Sequence, residues 1–320
     1  MPAAVTGIHH VTAIASDPQK NVDFYTGVLG LRLVKKTVNF DAPDVYHLYY
    51  GDEVGHAGTI LTFFPFPGAS RGKMGTGEIS AVAFVVPPPS VDFWAEHLAR
   101  HGVRFDGPFS RFGEKLVSFE DPEGMNIELL FSEGAEAGDR PWEGSAIPRE
   151  SAIRRIGGVT LLLRDGGPTG EVLVGTLGFR PAGREGERIR FNVGEGEAEA
   201  AIDILTSPGT PRGRQSAGSV HHIAWRTPTG EEQREWRRKI QEAGLFVTEV
   251  RDRSYFQSVY FREPGEVLFE IATDPPGFTV DETPAELGTH LKLPPWFEPE
   301  RARIERVLPP VRVRDIRPGR

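Results

Sequence analysis

Two histidine pairs and one strand-borne glutamate carry the chemistry this sequence can offer. His9-His10 lies within Gly7-Ile8-His9-His10-Val11-Thr12, and His221-His222 within Val220-His221-His222-Ile223-Ala224. Glu270 follows in the apolar run Val267-Leu268-Phe269-Glu270-Ile271. An ionised carboxylate in such a strand is costly unless it is paired or metal-bound. Two histidines and one carboxylate on one face of a metal form the facial triad of non-haem Fe(II) oxygenases, which leaves positions open for substrate and oxygen. The expected metal ligands are therefore His10, His222 and Glu270.

The elements that must bring these residues together repeat four times. Similar strands begin at Ile8, Ile79, Ile156 and Val220. A helical stretch follows each: Pro18 to Leu29, Val91 to His101, a third ending in Gly175-Thr176-Leu177-Gly178, and Glu231 to Ala243. The glycines after these stretches (Gly30, Gly102, Gly178, Gly244) read as helix stops. Short strands close each unit, as in Phe119 to Leu129 and Phe261 to Ile271, each broken by a Pro-centred turn. The predicted fold class is α+β, with four β-α-β-β-β modules forming two open barrels. Along the chain these are modules 1 and 2 over 7–132, a Gly/Glu/Pro-rich linker over 133–151, modules 3 and 4 over 152–274, and a Pro-rich wrapping tail over 275–320. A short helix is expected in the tail from Glu298 to Val307.

Aligning the units shows where a metal can sit. The slot of His10 is Ala81 in the second unit, Gly158 in the third and His222 in the fourth. The slot of Glu270 is Glu128 in the second, while the third offers Asp203 and the last strand of the first, Thr59 to Phe66, has no carboxylate. A complete ligand set needs the first unit packed against the fourth. The second and third then form a metal-free barrel, with Glu128 bonded to a backbone or arginine donor.

Composition narrows the partners. The net charge is -8 over 320 residues, which argues against nucleic acid or an anionic membrane as partner. With no cysteine, thiolate ligation and disulfides are excluded. No secretory signal is apparent and no apolar run is long enough to span a bilayer, so the cytoplasm is the expected location. No nucleophile elbow, phosphate loop, dinucleotide fingerprint or H-E-x-x-H segment occurs. His47, His56, His97, His101 and His290 have no partner pattern and read as solvated.

Four such modules, with ligands in the first and last, resemble the vicinal-oxygen-chelate superfamily, which includes type I extradiol dioxygenases, glyoxalase I and drug-sequestering resistance proteins. Asp252-Arg253-Ser254-Tyr255-Phe256-Gln257-Ser258-Val259-Tyr260-Phe261-Arg262-Glu263-Pro264-Gly265, running into Leu268-Phe269-Glu270-Ile271-Ala272-Thr273-Asp274, resembles the ring-cleaving dioxygenases that act on hydroquinones. The tail segment Leu293-Pro294-Pro295-Trp296-Phe297-Glu298 is similar to theirs as well. The resemblance implies a Fe(II) enzyme, with Mn(II) as a substitute, that inserts O2 into an aromatic diol, most plainly a hydroquinone. It also places His9 and His221 near the substrate, whereas strand alternation points them away from the ligand face; a bulge would reconcile the two. Thr12 shares the face of His10 and either lines the pocket or fills the strand. Tyr260 can pair across its turn with Glu270 and donate a proton to substrate, or be a core tyrosine. Arg253 can hold that phenol or a substrate oxyanion, or form a surface ion pair. The alternatives are a glyoxalase-type isomerase, which usually needs a second carboxylate beside the metal, and a ligand-sequestering binding protein. A homodimer is compatible with the family.

Overall fold

The computed structural model describes residues 3–132, 140–196 and 199–313. The first module runs β1 (Ile8–Ala15), α1 (Pro18–Val22), β2 (Arg32–Asn39), β3 (Ala42–Gly51) and β4 (Ile60–Pro65). The second runs β5 (Glu78–Val86), α2 (Val91–Arg100), β6 (Phe105–Arg111), β7 (Glu114–Glu120) and β8 (Asn126–Phe131). The third runs β9 (Arg155–Leu163), α3 (Gly167–Gly175), β10 (Arg180–Glu185), β11 (Arg188–Val193) and β12 (Ala200–Thr206). The fourth runs β13 (Val220–Thr227), α4 (Gly230–Glu242), β14 (Arg251–Asp252), β15 (Gln257–Arg262) and β16 (Leu268–Thr273).

Local chemistry sets the helix ends. Asp17 caps α1 by accepting from the amides of Gln19 and Lys20, and Thr229 caps α4 by accepting from Glu232. The first helix differs from its predicted extent: beyond Val22 the chain widens into a π turn over Asp23–Val28. All four stop glycines adopt the left-handed conformation, Gly30 and Gly102 at φ 70° and Gly178 and Gly244 at φ 79°. A Cβ is disfavoured there, so the same residue type recurs at the same place in every module.

The modules pair as the ligand distribution requires. One curled sheet has the order β14-β15-β16-β13-β1-β4-β3-β2, and the other β10-β11-β12-β9-β5-β8-β7-β6. The first joins modules 1 and 4 through the antiparallel β1–β13 pair; the second joins modules 2 and 3 through β5–β9. Each sheet buries an apolar face. Trp225 (0% exposed) packs edge-on against Phe179 and Phe269, and burying a large side chain of this kind contributes about 1.5–3 kcal/mol.

Two irregularities in the β1–β13 ladder matter for the site. Ile8 pairs with Trp225 but His10 with Ala224, so His9 is an extra residue on β1. Thr12 pairs with His222 but Ala13 with Val220, so His221 is an extra residue on β13. Each is a β-bulge. The β5–β9 ladder is irregular at the matching residues, Ser80 and Gly157.

Part of the expected linker, 133–139, lies outside the described residues; Ile147 within the rest is buried. Of the expected tail, 314–320 lies outside them. The described part runs along β2 and β3. Leu291 bridges to Lys36, and the Tyr46 hydroxyl donates to the Pro309 carbonyl at 3.0 Å. The fully buried Lys35 ammonium meets Asp281 and Glu282, each at 2.5 Å. The tail helix is α5 (Arg301–Val307), preceded by a 3-10 turn at Glu298–Glu300. Among the described residues no helix is long and apolar enough to cross a membrane.

Candidate metal centre

Three neighbouring strands each deliver one donor. His10 stands on β1, His222 on β13 and Glu270 on β16, where Glu270 pairs with Ala224, two residues beyond His222. Side chains two apart share a face, so all three point into the same curl of the sheet. Their exposures are 1%, 4% and 0%. His10 Nε2 lies 3.3 Å from His222 Nε2. Glu270 Oε2 lies 2.9 Å from His222 Nε2 and 3.4 Å from His10 Nε2. These distances are short, but neither contact to Oε2 has the direction of a hydrogen bond, and Oε2 is a buried oxygen without one.

The donor set fits a single cation. Donors about 2.1 Å from a common centre are about 3.0 Å apart at right angles and about 3.4 Å apart in a tetrahedron. The observed separations span that interval. A buried carboxylate oxygen facing two imidazole nitrogens costs free energy unless a positive charge sits between them. The other carboxylate oxygen, Oε1, accepts from the Ser258 hydroxyl. Burial alone would raise the Glu270 carboxyl; the close His10 and His222 rings outweigh it and hold the group well below the usual range. Burial lowers His222.

The two bulges bring a second histidine against each of the first through Nδ1. His9 Nδ1 is 2.9 Å from His10 Nδ1, and His221 Nδ1 is 2.7 Å from His222 Nδ1. Burial and the adjacent His10 push His9 down to about 3, and burial and His222 do the same to His221. Both are thus neutral and carry one ring proton. A ligand bound through Nε2 keeps its lone pair there, so the His10 ring proton belongs on Nδ1, where His9 Nδ1 accepts it. The same logic at the other pair turns His222 Nε2 to the centre and leaves the His221 ring proton on Nε2. The expectation that strand alternation turns these residues away is corrected by the bulges.

A cavity of about 410 Å³ opens on this centre. Its wall includes His10, Thr12, His221, His222, Tyr260 and Arg253, with Phe40, Phe64, Phe66, Phe256 and Leu268 as flat apolar surface. His9 is not on the wall; it lies behind His10. Tyr260 pairs with Glu270 across β15–β16. Arg253 Nε donates to its hydroxyl at 3.0 Å, and the same guanidinium meets Asp41 at 3.1 Å. Arg253 is therefore not paired with Asp252 or a glutamate. Burial and Glu270 raise the Tyr260 hydroxyl, against Arg253, so it keeps its proton at neutral pH.

Several residues here escaped the sequence. Ser258 and Asp41 carry no spacing signal, since their roles depend on ladder register and on a turn reaching across the cavity mouth. His47 is not solvated: its Nε2 meets Thr62 Oγ1 at 2.7 Å and its Nδ1 accepts from the Tyr49 hydroxyl at 2.8 Å. Nor is His97, which is buried beside Trp94 and bonds the Val28 carbonyl at 2.9 Å. His56 binds Asp52 at 2.6 Å. On β3, buried on both faces from Leu48 to Gly51, alternation gave no contrast for His47, whereas His97 shares the buried face of α2 with Trp94 and Leu98, a helical spacing that could have placed it.

The other sheet holds no such centre among its described residues. Its carboxylates meet arginines: Arg111 grips Glu128 through two bonds at 2.7 and 2.8 Å, and Arg190 grips Asp203 at 2.7 and 3.0 Å. A Cβ on Gly158 would come within 2.4 Å of the Ala201 carbonyl, so that slot cannot take a histidine. Two larger surface clefts, about 940 and 660 Å³, lie away from the histidine centre.

Residues 7–129 and 172–280 match the Glyoxalase/Bleomycin resistance protein/Dioxygenase superfamily. MhqO of Bacillus subtilis, provisionally named a ring-cleaving dioxygenase, is 46% identical over 99% of this chain and 100% of its own. A chlorohydroquinone/hydroquinone 1,2-dioxygenase of Sphingobium indicum is 36% identical over 96% of this chain and 97% of its own. The crystal structure of a provisionally assigned dioxygenase from Bacillus subtilis superposes with a TM-score of 0.93 at 45% identity, covering 98% of this chain and 99% of that one. Glyoxalase I from Zea mays, at 14% identity and a TM-score of 0.63 over 84% and 92% of the two chains, shares the fold alone. On this evidence the chain belongs to the Glyoxalase/Bleomycin resistance protein/Dioxygenase superfamily, among its ring-cleaving dioxygenases.

Proposed function

We propose that this protein is a Fe(II)-dependent dioxygenase that opens the ring of a hydroquinone, with Mn(II) as an alternative metal. The observation that carries the proposal is the orphaned Glu270 Oε2 facing His10 and His222 Nε2 at the floor of a cavity with aromatic walls. The hydroquinone assignment is supported by the activity named for the Sphingobium relative.

His10, His222 and Glu270 would hold the metal. When bound, the metal supplies open coordination positions and the redox change that O2 chemistry on an aromatic diol requires. The remaining roles belong to this chain's side chains. His9 and His221 orient the ligand rings through Nδ1. The flat ring of the diol would lie against Phe64 and Phe256, whose apolar faces limit water at its reactive carbon. Tyr260, kept protonated and oriented by Arg253, donates to a substrate oxygen where negative charge develops. His221 Nε2–H and the Thr12 hydroxyl are further donors beside the centre. Both atoms of O2 enter the product: two C–O bonds form, the O–O bond and one ring C–C bond break, and no external reductant is consumed.

A glyoxalase-type proton shuttle is less well served, because the Glu270 slot in module 1 is Thr62 and brings no second carboxylate. The test is oxygen uptake by anaerobically Fe(II)-reconstituted protein, with hydroquinone and catechol in parallel and His222→Ala as control. Uptake with hydroquinone that is abolished in the variant is expected. Uptake with catechol alone would move the substrate to the 1,2-diols. No uptake with either diol, despite bound iron, would overturn the proposal.

A further inference from the structure

Behind the Thr12 hydroxyl lies a polar chain whose other members, Tyr49, His47 and Thr62, have no role above. It begins at Tyr49 on β3, whose hydroxyl is buried and meets His47 Nδ1 at 2.8 Å. It continues from His47 Nε2 to Thr62 Oγ1 on β4 at 2.7 Å, and from Thr62 Oγ1 to Thr12 Oγ1 on β1 at 3.0 Å. Thr62 and Thr12 pair directly in the β1–β4 ladder. His47, Tyr49 and Thr12 all border the cavity.

The direction of these bonds is fixed at the Thr12 end. Thr62 has a single hydroxyl proton and donates it to Thr12, so the contact with His47 must be Nε2–H donating to Thr62 Oγ1. Burial, with the charge of Arg253, holds His47 well below its ordinary value, so the ring is neutral with one N–H. That proton is the one on Nε2, which leaves Nδ1 to accept. Burial keeps the Tyr49 phenol protonated and able to donate to Nδ1. The Thr12 hydroxyl has become an acceptor on the protein side, and its own proton has no acceptor among the described residues. The acceptor it lacks has to come from the cavity.

We propose that the Tyr49–His47–Thr62 chain is a positioning relay that makes Thr12 an obligate hydrogen-bond donor to a phenolic oxygen bound beside His10, with His47 as its tautomer-setting residue. The inference rests on the dioxygenase reading for its substrate class and on this chain's own hydrogen bonds for its direction. A hydroxyl free to rotate would accept as readily as donate. With one of its two lone pairs held by Thr62 and its proton unmet among the described residues, Thr12 favours an electron-rich oxygen over a donor in the same place, because a donor would leave that proton unpaired. The relay thus selects deprotonated or hydrogen-bond-accepting phenols.

The test uses 4-nitrophenol, a phenol without a second hydroxyl, titrated into anaerobic Fe(II)-loaded protein and followed by its visible absorption. Thr62→Val, which keeps shape but breaks the relay, is expected to weaken binding about tenfold, the scale of one hydrogen bond. T62S, which restores the hydroxyl, is expected to return affinity to within about twofold of wild type. In a Thr12→Val background the T62V effect should vanish, because the donor it orders is gone. A purely structural role for Thr62 predicts the same loss with or without Thr12. If T62V does not fold, Tyr49→Phe carries the same cycle with a smaller expected loss of about threefold. Wild-type affinity in T62V, a loss undiminished in the Thr12→Val background, or no binding of 4-nitrophenol by wild type would each overturn the relay. The expected pattern without oxygen uptake on any diol would leave the relay standing and remove the dioxygenase reading instead.

Discussion

Glu128 occupies in one sheet the ladder position that Glu270 occupies in the other. Glu128 pairs with Ala83, two residues beyond Ala81; Glu270 pairs with Ala224, two residues beyond His222. The carboxylates are equivalent by register and opposite in use. Where Ala81 and Gly158 stand in the histidine slots, Arg111 supplies the positive charge that Glu128 needs. Where His10 and His222 stand there, Glu270 is left facing two nitrogen lone pairs.

Glu128→Ala should therefore cost stability and leave metal binding intact. Removing one partner of a buried pair strands the other, at about 3–5 kcal/mol; Arg111 keeps some solvent contact, so about 3 kcal/mol is expected. Chemical denaturation and metal analysis on the same sample check this. A loss under about 1 kcal/mol, or a loss of bound metal, would contradict the structural role.

Metal removal should lower the stability of the wild type and not of Glu270→Gln. A ligand that binds only the folded state at a hundred times its Kd stabilises by about 2.7 kcal/mol. Thermal unfolding of chelated protein, with and without added Fe(II), reads the difference. An equal response in the two proteins would show that the ion binds elsewhere.

His9→Phe and His221→Phe should separate orientation from donation. Each loses the partner of a ligand ring, which costs about 10- to 100-fold in metal affinity. Saturating Fe(II) should restore turnover in His9→Phe, because His9 lies behind His10 and off the cavity wall. It should not restore His221→Phe, which also loses an N–H facing the substrate. Full recovery of both would confine His221 to ring orientation.

Glu78 gives stability a pH dependence away from the site. It is 3% exposed with neither carboxylate oxygen hydrogen-bonded. Burial pushes it up to about 7, against weaker pulls from the Gly75 amide and Arg212. Its folded value exceeds its unfolded one, so its contribution is fully present below about pH 4.5 and is lost as pH rises towards 7. Glu78→Gln should thus gain stability over wild type, on the order of 1–3 kcal/mol, as pH rises across that window, and no more above it. A difference independent of pH between 5 and 8 would refute the buried-carboxyl explanation.

The sequence by itself determined the module, its fourfold repetition, the helix stops and the three donors. These are local or repeated signals: glycines required at left-handed positions, alternation along strands, and a carboxylate too costly in an apolar strand unless a charge meets it. Comparing slots even determined which modules must pair, because only the first and fourth together hold two histidines and a glutamate. What the tertiary structure decided depends on register and on contacts between distant strands. The one-residue bulges turn the His9 ring behind His10 and set the His221 ring beside His222 on the cavity wall, and a bulge is invisible in a single strand because it exists only relative to its partner. The Arg253–Tyr260 and Ser258–Glu270 bonds follow from the register of β15 on β16 and the loop before it. His47 gained its place from Thr62 on the neighbouring strand, fifteen residues away in sequence, where no periodicity could announce it.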